Sequence, residues 1–206
     1  MPEELQSPPW LRRYRQFIPR PHSVDRSGRP APWAAVDPAS RRGITNERVQ
    51  RHLTPSLAPP DSEPADRPHA AVLVPIFERE GEATLVLIRR GFMLASSPGD
   101  LAFPGGRIEW RERAVDAAVR EAEEEVGLKR GAMTILGRLS GVHRPRAAGW
   151  VVPYVALLGA EPILRPDPVE VDGVLTIAIA DLAADGTFWQ EEWPIPGQGA
   201  RTLSFF

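Results

Sequence analysis

Residues 106–128, GRIEWRERAVDAAVREAEEEVGL, constrain this chain more than any other stretch. Val115, Val119, Ala122 and Val126 recur at helical spacing and make one apolar side that docks on a core. Glu124 and Glu125 follow Glu121 by three and four residues, so on a helix the three carboxylates share a face and point into one space. Like charges held that closely raise each other's pKa unless a cation sits between them. Hard divalent ions such as Mg²⁺ take oxygen ligands and suit such a set. Gly127 stands where a helix end favours a left-handed residue. Gly105 and Gly106 open the stretch as a side-chain-free loop, able to bring backbone groups close to a metal or a phosphate. For three glutamates on an arbitrary helix, a solvated acidic face is the plainer reading.

The fixed spacing changes that balance. Gly106 is followed by five residues, then Glu112, then seven residues, then Arg120-Glu121-Ala122. One free position leads to Glu124-Glu125 and another to Gly127-Leu128. Nine constrained positions at fixed offsets match the Nudix box, and the chain resembles the Nudix hydrolases over residues 69–206. The resemblance implies an α/β fold, a Nudix-type α/β/α sandwich around a mixed sheet. It also implies metal-dependent cleavage of a nucleoside diphosphate linked to another moiety.

The rest of the chain sets the context. Its length suits one domain plus an extension. A net charge of −2 gives no field for bulk nucleic acid. There are no cysteines, hence no disulfide or thiolate metal site. No apolar run approaches the ~20 residues that span a bilayer, and the N-terminus lacks the apolar centre of a secretory signal. A cytoplasmic protein with neither nucleic acid nor membrane as partner is the expectation. Residues 1–68 hold 13 of the 23 prolines and read as a Pro-rich N-terminal arm and linker. Within that arm Trp10, Tyr14, Phe17 and Ile18 suit packing on the domain or on a second subunit, and a homodimer is the assembly considered. One short helix is expected over 45–53, with Thr45 as its N-cap. Strands are expected over 70–77 and 83–90 as a hairpin, then over 101–103, 133–139, 150–158 and 171–179, with a short helix at 181–184. Residues 200–206 read as a strand cut short, leaving Phe205 and Phe206 exposed unless a partner covers them.

Roles follow from the box and its resemblance. Glu121, Glu124 and Glu125 are assigned as ligands for Mg²⁺ or Mn²⁺. The resemblance implies that one box glutamate acts instead as base, and that a backbone carbonyl near Gly105 ligates metal. Arg120 pairs with a neighbouring carboxylate and orients it. Glu112, at the start of the helix, supports from outside. An ordinary surface ion pair is the alternative for both Arg120 and Glu112. Many Nudix enzymes also use an acid outside the box, and Glu170, just before a strand, is the candidate; an exposed loop carboxylate is an equal reading. Glu191 and Glu192 rank behind it. His143, Arg144 and Arg146 lie in a basic loop that could meet a substrate phosphate, although solvation is the commoner fate of such residues.

Upstream, Arg90, Gly99 and Phe103-Pro104-Gly105-Gly106 fall at the spacing of the coenzyme A diphosphatase branch. Pro153 and residues 166–171 look like that branch too. Arg90, Phe103 and Gly106 are the substrate-binding candidates, and the substrate implied is a small coenzyme A-like nucleotide. Two positions depart from the pattern: Gly91 replaces a serine, and Ala95 replaces an arginine that could hold a phosphate.

Overall fold

The computed structural model describes residues 25–62, 64, 68–94, 97–143, 149–195 and 199–206. Trp10, Tyr14, Phe17, Ile18, Ala95, Arg144 and Arg146 lie outside the described residues. The chain divides into two compact units.

The smaller unit is an antiparallel sheet in which β1 (Asp25–Ser27) pairs with one long strand of a C-terminal hairpin. The larger unit runs over residues 30–188 and includes Phe206. Its elements are α1 (Asn46–Leu53), β2 (Ala70–Arg79), β3 (Glu82–Arg90), β4 (Leu101–Ala102), β5 (Gly105–Arg107) and α2 (Ala114–Val126). β6 (Met133–Arg138), β7 (Val142–His143), β8 (Trp150–Leu158), β9 (Val171–Ala178) and α3 (Ile179–Leu182) follow. The hairpin of the smaller unit is β10 (Trp189–Ile195) and β11 (Gly199–Phe205).

The large sheet has the order β4-β3-β2-β8-β6, with β5 also on β2, β7 on β8 and β9 on β3. β2 and β8 run parallel and the other pairs antiparallel, so the sheet is mixed, as expected. Side chains alternate across its strands. Ala71, Leu73 and Phe77 of β2, Val86 and Ile88 of β3, and Val152, Tyr154 and Ala156 of β8 join the apolar face of α2. The intervening Val74, Ile76, Leu85 and Val155 face the other way and meet Val49 and Leu53 of α1. A helix therefore covers each face, which is the sandwich.

At its N-terminus α2 is held by this packing rather than by a side-chain cap. Its N-cap is Arg113, which makes no side-chain capping bond. Val115, Val119, Ala122 and Val126 are all buried, and burying a valine contributes roughly 1.5–3 kcal/mol. At its other end Gly127 takes φ 76°; its N–H donates to the Glu123 carbonyl and that of Leu128 to the Ala122 carbonyl. For α1, Thr45 is the N-cap as expected, with its Oγ1 accepting from the Arg48 N–H at 3.2 Å.

The structure refines three expectations. Gly105 and Gly106 form strand β5 rather than a loop, paired with β2 at Val72 and Ala71. Glycines give no period-2 pattern, so only backbone pairing reveals the strand. Glu112, expected at the start of the helix, lies two residues before α2, where its Oε2 accepts the Glu109 N–H at 2.9 Å. Phe205 and Phe206 each find a ring: Phe205 stacks on Trp189 at 5.4 Å, and Phe206, still 62% exposed, stacks on Trp33 at 6.0 Å.

Candidate functional site

α2 carries its glutamates along the side opposite the valines. Glu121 and Glu125, one turn apart, converge with Glu170, which stands just before β9. One carboxylate oxygen from each lies within 4.8 Å of the others. Glu125 is only 2% exposed, and its Oε2 accepts the Gly105 N–H at 2.8 Å. The Arg90 Nη1, at the end of β3, stands 3.8 Å from Glu125 Oε1. A Cβ on Gly106 would sit 2.4 Å from the Glu121 carboxylate, so any side chain there would push that carboxylate out of its place.

Glu124 is set apart from that group. Its side chain is 59% exposed, and its Oε2 accepts from Arg120 Nη1 at 2.9 Å. The expectation that Glu121, Glu124 and Glu125 share one space is met by Glu121 and Glu125, while Glu124 turns to the guanidinium one helical turn before it. Arg120 also donates to Glu112 Oε1 (2.9 Å), Glu112 Oε2 (3.2 Å), Glu121 Oε1 (3.1 Å) and the Arg107 carbonyl (3.0 Å). This one side chain ties the strand, the turn before α2 and the helix together.

Phe103 packs against the apolar group on the α1 face of the sheet, half-buried. His143 is exposed, edge-on to Trp150 at 5.4 Å. In the smaller unit, Glu191 is buried and its two carboxylate oxygens accept from the indoles of Trp189 (3.1 Å) and Trp193 (2.9 Å). Glu192 is exposed.

Charge in the site is unevenly compensated. Bonds from Arg120 hold Glu112 below its ordinary range, and Glu112 in turn raises Arg120. Burial pushes Glu121 up against the opposing pull of Arg120. Burial also pushes Glu125 up to about 7, helped by the negative charges of Glu121 and Glu170 and opposed by the Gly105 N–H and Arg90. A carboxyl with a higher pKa in the folded chain than in the unfolded one binds its proton more tightly when folded. Its stabilising contribution is full below the unfolded value of 4.5 and is lost as pH rises through about 7. The thermal midpoint of cation-free protein is therefore expected to fall between about pH 5 and about pH 8, and Mn²⁺ to reverse the fall at the upper end. A midpoint that holds steady or climbs over that range in chelator would contradict this account of Glu125.

The donor set fits a hard divalent cation: three carboxylates, oxygen only, two of them with raised pKa and all converging from two segments. The Nudix domain model matches residues 67–195, and the chain belongs to the Nudix family of hydrolases. Nudix hydrolases generally use divalent metal ions.

An uncharacterized Nudix hydrolase, NudL, of Photorhabdus laumondii is 35% identical over 161 residues, spanning 77% of this chain and 83% of that protein. Nudix hydrolase 3 of Caenorhabditis elegans is 35% identical over 115 residues, 54% of this chain and 48% of that protein. Among solved structures, a binary complex of the C. elegans Ap4A hydrolase is similar at 22% identity and a TM-score of 0.47, covering 55% of this chain and 87% of that one. No helix among the described residues is long and apolar enough to cross a membrane.

Proposed function

We propose that this protein is a metal-dependent diphosphatase that cleaves coenzyme A, or a derivative of it, to 3',5'-ADP and a phosphopantetheine product. The observation that carries the diphosphatase reading is the convergence of Glu121, Glu125 and Glu170 within 4.8 Å. In the reaction a water oxygen bonds to one phosphorus, the bridging P–O bond breaks, and the bridging oxygen leaves with the other phosphate. The water loses one proton to a base. Glu121, Glu125 and Glu170 would hold Mg²⁺ or Mn²⁺, with the box carboxylates, Glu124 included, dividing ligation and proton acceptance between them. A backbone carbonyl near Gly105 belongs to the same proposal. When bound, the cation supplies neutralisation of the diphosphate oxygens and acidifies water. Arg120 keeps Glu121 and Glu124 oriented, with Glu112 behind it. Positioning and charge compensation are most of what such a reaction asks of a protein.

What supports coenzyme A is the spacing of Arg90, Gly99 and the FPGG run beside the catalytic helix. Arg90 and Gly106 are the substrate-binding residues of this reading, whereas Phe103, whose ring packs on the α1 face of the sheet, belongs to it by spacing alone. Ala95, in place of an arginine, favours a second reading: the same chemistry on another nucleoside diphosphate, such as an ADP-sugar or a dinucleoside polyphosphate. The test is a kcat/KM comparison of coenzyme A, an acyl thioester of it, and ADP-ribose. Coenzyme A or its thioester is expected to be preferred. A charge-assisted hydrogen bond is worth roughly 1.5–3 kcal/mol, about 10- to 100-fold in affinity, so Ala95→Arg should lower KM for coenzyme A by more than for ADP-ribose. If ADP-ribose is the better substrate and gains as much, the coenzyme A reading falls and the second stands.

A further inference from the structure

The third carboxylate of the cluster does not come from the helix, so something must fix it there. Glu170 is exposed and ends the connection 159–170, in which Leu164 packs on the core. Backbone bonds fix the last residues of that connection. The Arg165 N–H donates to the Val126 carbonyl and the Asp167 N–H to the Glu125 carbonyl, both at 2.9 Å, so the connection closes the open end of α2. Asp167 then turns its side chain forward: its Oδ1 accepts from the Val169 N–H at 2.8 Å and the Glu170 N–H at 3.2 Å. Its own carbonyl accepts from the Val171 N–H at 2.9 Å. Pro166 and Pro168 flank it and restrict the backbone on both sides.

The other side of Glu170 is pinned from β3. The Gly91 N–H donates to the Glu170 carbonyl at 2.7 Å, and Gly91 directly follows Arg90, which reaches Glu125. A Cβ on Gly91 would lie 2.7 Å from the Val169 carbonyl oxygen and 3.3 Å from that of Glu170. The missing side chain is what lets the connection come this close. Glu170 thus has its N–H held by Asp167 and its carbonyl by Gly91, and Asp167 is bonded to the backbone of Glu125 itself.

We infer that Asp167 is a positioning residue, which through its Oδ1 sets where the Glu170 carboxylate stands against Glu125 and Glu121, with Gly91 as the second anchor. This rests on the proposed cation site. Groups that orient metal ligands commonly change metal affinity when they are replaced, although they touch no metal. Asp167 is only half-buried, so truncating it removes little packing.

The test is Mn²⁺ binding by the full chain, read as free Mn²⁺ by electron paramagnetic resonance, with thermal unfolding alongside. Asp167→Ala is expected to weaken Mn²⁺ binding by about 10- to 100-fold. Asp167→Asn keeps the Oδ1 acceptor and is expected to bind as the wild type does, a rescue that a need for the charge would not produce, while an unchanged thermal midpoint in Asp167→Ala separates positioning from bulk stability. Gly91→Ala, which pushes the connection away from the other side, is expected to weaken binding as well. Should Asp167→Ala fail to fold, Asp167→Asn and Gly91→Ala carry the test, and any pattern other than tight for the first and weak for the second overturns the inference. Wild-type binding with Asp167→Ala unaltered, or with Asp167→Asn as weak as the alanine variant, overturns the positioning role alone. Wild-type protein that does not bind Mn²⁺, or whose binding survives Glu125→Gln, overturns the cation site and this inference with it.

Discussion

Glutamine in place of Glu125 is expected to leave a folded protein whose kcat is lower by about 100-fold or more, the size of effect seen when one preorganised transition-state stabiliser is removed. Glu125 is 2% exposed and accepts the Gly105 N–H at 2.8 Å, a bond that an amide carbonyl of the same volume can keep. What changes is charge. The wild-type carboxyl is pushed up to about 7 chiefly by burial, so the folded chain already tolerates its neutral form well. Glutamine imitates that neutral form at every pH. The variant should therefore match or exceed the wild type in thermal midpoint at alkaline pH without cation, while losing turnover. Steady-state kinetics paired with thermal unfolding checks both halves. Turnover equal to wild type would remove Glu125 from the site.

The two arginines of the site do different work, which explains why a cation is called for at one end of the cluster. Arg120 is committed to Glu112, Glu121 and Glu124, and those bonds lock the box against β5. Glu125 faces Glu121 and Glu170 with Arg90 at 3.8 Å. The carboxylate with the least exposure is thus the one whose charge is hardest to sustain without a further positive charge.

Much of this was legible in the sequence. A four-residue spacing puts Glu121 and Glu125 on one face of any helix, and the valines on the other side had to meet a core. Glu170 was marked by its place before a strand, and the chain does bring it to the helix. The fate of Glu124 was not legible, because helical spacing alone does not tell which carboxylates a guanidinium one turn earlier will draw away. Nor was the side of the sheet on which Phe103 packs, since the FPGG run says nothing about which face its ring will take.

Residues 166–171 were noted only for their likeness to a branch of the family; nothing in them shows that the Asp167 N–H reaches the Glu125 carbonyl, 42 residues away, while its Oδ1 accepts from the Glu170 N–H. The strand β10 was missed for another reason. Trp189, Glu191 and Trp193 alternate on one side of it, but a glutamate between two tryptophans reads as a break in an apolar face. Here the two indole N–H groups satisfy the carboxylate and make it part of that face. β1, with the sequence Asp-Arg-Ser, has no strand propensity to read and forms through its register with β10.

The second large effect concerns the cation itself, and it bears most directly on the whole account. Three carboxylates within 4.8 Å, with no histidine in the box to act as base, leave charge neutralisation and water activation to a divalent ion. The measurement is hydrolysis of coenzyme A by the full chain at alkaline pH, with Mg²⁺ or Mn²⁺ in one arm and excess chelator in the other, the products being separated by chromatography. The account predicts 3',5'-ADP and a phosphopantetheine product with the cation and none in chelator, the activity rising toward alkaline pH as the attacking water and its base lose protons more easily. Hydrolysis undiminished in excess chelator, or no hydrolysis of coenzyme A or any other nucleoside diphosphate derivative with either ion, would contradict it.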